Sequence, residues 1–122
     1  MNRNMDAIRN IVLALDSAKG IVSSVKGIDE DTFNYNAYLL IEAGLAKGQA
    51  LEVDQSVHPV GVNLFRLTWN GHDFADAIKD DTIWNKAKEH VMKPAASWSF
   101  GVLLEYLKLE AKARIPGLDG LI

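Results

Sequence analysis

Apolar positions along the 122-residue chain change their period several times, and each change marks an element. Met5, Ile8, Ile11, Val12 and Leu15 recur at three- and four-residue spacing, with Arg3, Asp6, Arg9 and Asp16 between them. That spacing predicts an amphipathic helix over residues 3–17, ended by Gly20. Residues 21–26 (Ile-Val-Ser-Ser-Val-Lys) are short, β-branched and bounded by Gly20 and Gly27, which predicts a short strand. Asp29 stands as N-cap of a helix from about Glu30 to Ala43, with acidic residues in its first turn and an apolar stripe of Phe33, Ala37 and Leu40. Gly44 stops it.

Two alternating segments follow, Leu45–Val53 and Val60–Thr68, joined by turn-forming residues 54–59, and they read as a hairpin. Asn70-Gly71 is also compatible with a tight hairpin turn. The Phe74, Ala77 and Ile78 spacing favours a helix capped by Thr68 instead. Asp80-Asp81-Thr82 breaks the pattern and starts a helix from Ile83 to about Lys93, ended by Pro94. Ser97 or Ser99 caps a last long helix with Phe100, Leu103, Leu104, Leu107 and Ala111 on one face.

Helix, short strand, helix, hairpin and then Leu-Thr-x-x-Gly at a helix start is the order of a winged helix. The expected fold is therefore α+β: a winged-helix-like core over residues 1–80, with C-terminal helices over 81–122 that pack on it or pair two protomers, one domain overall. Residues 17–28 offer a strand where a helix-turn-helix needs its other helix. Four segments carry a closer likeness: Asn4-Met5-Asp6-x-Ile8-Arg9; Tyr35 with Leu39-Leu40-x-Glu42-Ala43-Gly44-Leu45; Leu67-Thr68-Trp69-x-Gly71-His72-x-Phe74; and Asp80-Asp81-Thr82-x-Trp84-x-Lys86-x-Lys88. From Arg3 to about Ala113 the chain resembles an uncharacterised bacterial and prophage family, the domain of unknown function numbered 2513. The family usually has His after the Tyr, where this chain has Asn36. The resemblance implies the fold and a phage-linked setting, and it implies no activity.

Composition narrows the function classes. There is no cysteine, so no disulfide framework and no thiolate site. No apolar run approaches the roughly 18 residues of a membrane span. Asp6 and Arg9 interrupt any signal-peptide core, so a cytoplasmic protein is expected. Thirteen Lys and Arg face sixteen Asp and Glu, and the whole deficit of three lies in residues 1–61, with five basic groups against eight acidic. A nucleic-acid binder usually shows a basic footprint, and this N-terminal half leans the other way.

Site chemistry is sparse. No nucleophile elbow, phosphate-cradling glycine loop or dinucleotide fingerprint is present. The expectation is no enzyme and no cofactor. His72, Asp76 and Asp80 recur at four-residue spacing and would share a helix face, but one helix converges three metal ligands poorly. A solvated polar stripe opposite Phe74 and Ile78 is the preferred reading, with no metal site. Lys79, Lys86, Lys88 and Lys93 are interspersed with Asp80, Asp81 and Glu89, as on a solvated helix face.

The remaining candidates are on the helix from Glu30 to Ala43. Its outward positions are Asn34, Tyr35, Tyr38 and Leu39. In a winged helix such positions meet the major groove, with Gln55 and His58 in the wing. Asn can read adenine, yet phosphate contacts dominate affinity, and this helix has no Lys or Arg. An exposed tyrosine and leucine patch is more typical of a protein interface. The expected function is a non-catalytic bacterial or phage accessory or regulatory protein that acts through protein–protein contacts, with a protein partner or a second copy as a homodimer. The alternative is a sequence-specific DNA-binding winged-helix transcriptional regulator.

Overall fold

A computed structural model describes residues 2–52, 59–94 and 98–113. The chain divides into two compact units, Met1–Ala75 and Asp76–Ile122.

In the first unit α1 spans Met5–Ser17 and α2 spans Glu30–Glu42. Asn4 caps α1, its side chain accepting from the Ala7 N–H at 3.0 Å, and the periodic stripe Ile8, Ile11, Val12 and Leu15 is buried. The helix stops before Gly20: its C-cap is Ala18, already extended. Asp29 caps α2 through the Thr32 N–H at 3.1 Å, and this bonding to Thr32 holds its carboxyl below the usual range. Phe33, Ala37 and Leu40 are buried as their spacing requires.

The end of α2 is a paired C-cap. Gly44, at φ +74°, donates to the Ile41 carbonyl, and Leu45 donates to the Leu40 carbonyl, both at 3.0 Å. This is the Schellman arrangement, with the apolar Leu40 and Leu45 both buried beside it. β1 (Ala46–Leu51) then pairs antiparallel with β2 (Gly61–Leu67). The register slips between Lys47, opposite Arg66, and Gly48, opposite Leu64, so Phe65 is an extra residue in β2. Val62, Leu64 and Leu67 face inward and are buried.

Residues 21–26 depart from the expected strand. They contribute one isolated bridge, Val22 to Leu64. Ser23 follows it and uses its hydroxyl on the Asn63 side chain at 2.6 Å, and no ladder continues to Ser24 among the described residues.

α3 (Trp69–Ile78) starts where Thr68 accepts from the Gly71 N–H at 3.1 Å, so Asn70-Gly71 is inside a helix and not a hairpin turn. The helix carries the chain into the second unit. There α4 (Asp81–Ala87) is capped by Asp80 through the Ile83 N–H at 3.0 Å. The single helix expected over 83–93 is instead α4 followed by a five-residue π-helical turn, Lys88–Met92. Such turns add a residue to the helical repeat. α5 (Phe100–Ala113) is capped by Ser99 through the Val102 N–H at 3.2 Å. Ser97, the other expected cap, lies outside the described residues. Leu103 and Leu107 of α5 are buried, as are Ile83, Trp84, Ala87 and Val91. Lys86 pairs with Glu110 at 3.6 Å, and the Tyr106 hydroxyl meets His90 Nδ1 at 3.1 Å with the rings edge to face. Burial, then the nearby Glu110, pushes the Tyr106 phenol up from its ordinary pKa.

Phe33 leads the buried stripe of α2 and is 1% exposed. Phe33→Ala is expected to cost about 3–5 kcal/mol in denaturant unfolding, as for other buried Phe truncations. A loss below about 1 kcal/mol would contradict its place in the core.

Candidate functional site

The helix register of α2 divides its side chains into two sets. The inner set is Phe33, Asn34, Asn36, Ala37 and Leu40. Asn34 is therefore not an outward residue, contrary to the sequence expectation. It is 4% exposed and donates from Nδ2 to the Val60 carbonyl at 3.2 Å, ahead of β2. Bonded in this way, the Nδ2 end of the amide ties α2 to the residue before β2 and is not available on the outward face of the helix.

Asn36, at the position where a His was expected, is fully buried. Its Oδ1 accepts from the Asn4 N–H at 2.8 Å and its Nδ2 donates to the Thr32 carbonyl at 2.9 Å. This side chain therefore joins α2 to the N-cap of α1. Periodicity gives no hint of such a bond across 32 residues.

The outward set is Tyr35, Tyr38 and Leu39, each half-buried, with Glu30, Asp31 and Glu42 exposed around them. Residues 30–42 hold three acidic side chains and no Lys or Arg. Glu42, and more weakly Glu52 beyond β1, raise the pKa of the Tyr38 phenol by charge and hydrogen bonding, so Tyr38 stays a neutral donor over a wider pH range. The candidate surface thus joins α2 to the end of β1. It is aromatic and acidic.

The hairpin presents another chemistry. Lys47 and Arg66 are cross-strand neighbours, and Gln49 and Asn63 are the next such pair but one; all four are exposed. Arg66 went unnoticed in the sequence because its cationic partner is nineteen positions away and only the register joins them. Phe65, at the bulge, is 47% exposed and Trp69, opening α3, is 83% exposed. Alternation from Val62 and Leu64 turns Phe65 outward; the bulge turns Arg66 outward as well and brings Leu67 inward. Gln55 and His58, the expected wing residues, lie outside the described residues.

His72 pairs with Asp16 at 3.5 Å. Asp76 pairs with Lys79 at 3.3 Å. Asp80 serves as the α4 cap. Among the described residues no group of three His, Asp or Glu side chains is disposed to hold a metal ion. No helix among them is long and apolar enough to cross a membrane.

The four segments that carry the family likeness now have structural places. They hold the α1 cap, the α2 C-cap, the Thr68 junction and the α4 cap. The sequence profile of the family described as "Hypothetical protein (DUF2513)" matches residues 2–97. The chain belongs to that family. A relative from Haemophilus influenzae strain Rd, bearing the name "Uncharacterized protein", is 33% identical over 108 residues, covering 84% of this chain and 89% of the relative. No solved structure matches the chain.

The Tyr38 environment gives this DUF2513 surface a direct check. Glu42→Gln removes the nearer charge, so the Tyr38 pKa should move down toward the ordinary tyrosine value in an NMR titration of the ring carbons. The sign follows from the raised folded-state pKa: stability from this group is present below the tyrosine range and lost as pH rises through it. An unchanged titration in the variant would remove Glu42 from the phenol's surroundings.

Proposed function

We propose that this protein is a non-catalytic accessory or regulatory protein that acts through protein–protein contacts on the outward face of α2, within a winged-helix-like first unit. The carrying observation is the composition of that face: Tyr35, Tyr38 and Leu39 among Glu30, Asp31 and Glu42, with no cation on the helix. Tyrosine combines apolar area with a polar tip and is common among binding hot spots. The acidic surround favours a partner with a basic surface and disfavours phosphate. A second copy would have to meet this face through the neutral half of the chain, since the eight Lys and Arg of residues 62–122 are balanced by eight Asp and Glu.

One observation favours the second reading, a sequence-specific DNA-binding regulator in a bacterial or phage setting. Lys47 and Arg66 stand side by side on the hairpin, where a wing would touch the backbone. Two cations release few counterions, so this reading needs a dimer and the hairpin together.

Both readings are separated by one pair of measurements. Tyr35→Ala/Tyr38→Ala should keep the far-ultraviolet spectrum and weaken the complex with the purified partner, or self-association in sedimentation, by at least about 2 kcal/mol. Duplex DNA at near-physiological salt should show no binding tighter than the roughly 10 μM of non-specific contacts. Nanomolar, steeply salt-dependent operator binding lost in Lys47→Ala/Arg66→Ala would reverse the order of the two readings.

A further inference from the structure

The segment after α1 leaves the sheet after a single bridge. Val22 and Leu64 exchange both backbone hydrogen bonds at 2.9 Å. Strand alternation turns the N–H and C=O of Val62 to the same edge. Among the described residues no backbone hydrogen bond from Ser23 or Ser24 reaches them. The divergence leaves a cleft of about 300 Å³ between Ser23 and Ser24, Phe33 and Asn34 of α2, and Val62 and Asn63 of β2, with the exposed Glu30 also lining it. That volume is at the small end of ligand sites.

Three side chains offer acceptors to this cleft. Asn34 is the decisive one. Its Nδ2 is committed to the Val60 carbonyl, which fixes the amide, since the flipped form would set oxygen against oxygen. Its Oδ1 then receives no hydrogen bond from a described residue, although the side chain is 4% exposed. Among the described residues no side-chain oxygen sealed from solvent lacks a partner, so Oδ1 keeps an opening, and Asn34 lines this cleft. Ser23 spends its proton on Asn63 Oδ1 at 2.6 Å and offers lone pairs. Glu30 adds a carboxylate. The buried Phe33 and Val62 are its apolar lining.

We propose that this cleft binds a compact organic cation: an alkylammonium or alkylguanidinium group whose N–H donors meet Asn34 Oδ1, Ser23 Oγ and the Glu30 carboxylate while its first carbons lie on Phe33 and Val62. Such a group arises from a free small amine or guanidine, or from a Lys or Arg side chain of a peptide. The site does not depend on the tyrosine face.

The test is an amide NMR titration of the full chain with n-propylguanidinium and n-propylammonium, with n-propanol and tetramethylammonium as controls. The two N–H-bearing cations should give saturable shifts at Val62, Asn63 and the Asn34 side-chain amide. The controls should not, because one lacks charge and the other lacks donors. Glu30→Gln, at an exposed position, should leave the spectrum folded and weaken binding about three- to fivefold at low salt. A capped Gly-Arg-Gly peptide binding more tightly than n-propylguanidinium assigns the cation to a peptide; the reverse order assigns it to a free small molecule. Absence of saturable shifts up to about 100 mM, far above a millimolar dissociation constant, overturns the proposal. So does an equal response to n-propanol, or to tetramethylammonium.

Discussion

The first unit depends on one junction, where the end of α2 meets the start of α3. Besides the first helical bond, which its carbonyl accepts from the His72 N–H at 2.9 Å, Thr68 makes further hydrogen bonds there. Its hydroxyl donates to the Gly44 carbonyl at 2.6 Å and accepts from the Gly71 N–H, and its backbone N–H donates to the Leu45 carbonyl at 3.0 Å. Gly44 supplies the left-handed turn that brings its carbonyl and that of Leu45 to this point. Gly71 is in the opposite wall, and a Cβ on it would collide with the Leu45 carbonyl oxygen. The two motifs Glu-Ala-Gly-Leu and Leu-Thr-x-x-Gly are therefore halves of one contact. The hairpin is the loop that this contact closes.

Closing the loop sets the register of α2. With Gly44 and Leu45 held at one end and Asn36 held to the α1 cap, Phe33, Ala37 and Leu40 must face the core. Tyr35, Tyr38 and Leu39 are then left outward by geometry. The same register draws Asn34 to the Val60 carbonyl and sets it in the lining of the cleft that Ser23 shares. The candidate partner surface and the cleft are thus consequences of a single helix orientation.

Local chemistry was the legible part of this fold. Helical periodicity located α1 and α2, alternation located the hairpin, and Asp29 and Thr68 read correctly as caps, with Asp80 inside the three-residue break and Ser99 one of two candidates, because capping is a bond between neighbours. What failed needed bonds between distant residues. Asn34 looked outward because asparagine is usually exposed and its carbonyl partner is 26 positions away. Residues 21–26 have strand composition, but Ser23 turns to the Asn63 side chain after one bridge. Arg66, inward by alternation from Val62 and Leu64, is displaced by a bulge that only the strand register shows. The π-helical turn after α4 leaves the apolar spacing of Trp84, Ala87 and Val91 intact and so hides within it. Of the candidate surface, Tyr35, Tyr38 and Leu39 were legible; the Lys47 and Arg66 pair was not.

The most direct test of the junction is the stability of Gly71→Ala measured against Gly61→Ala. A Cβ at Gly61 would meet nothing closer than the Leu51 Cβ at 4.0 Å. Denaturant unfolding should place Gly61→Ala within about 1 kcal/mol of the parent chain. Gly71→Ala should lose about 1–3 kcal/mol or more, as overpacking against backbone demands. Equal stability of the two variants would contradict the account.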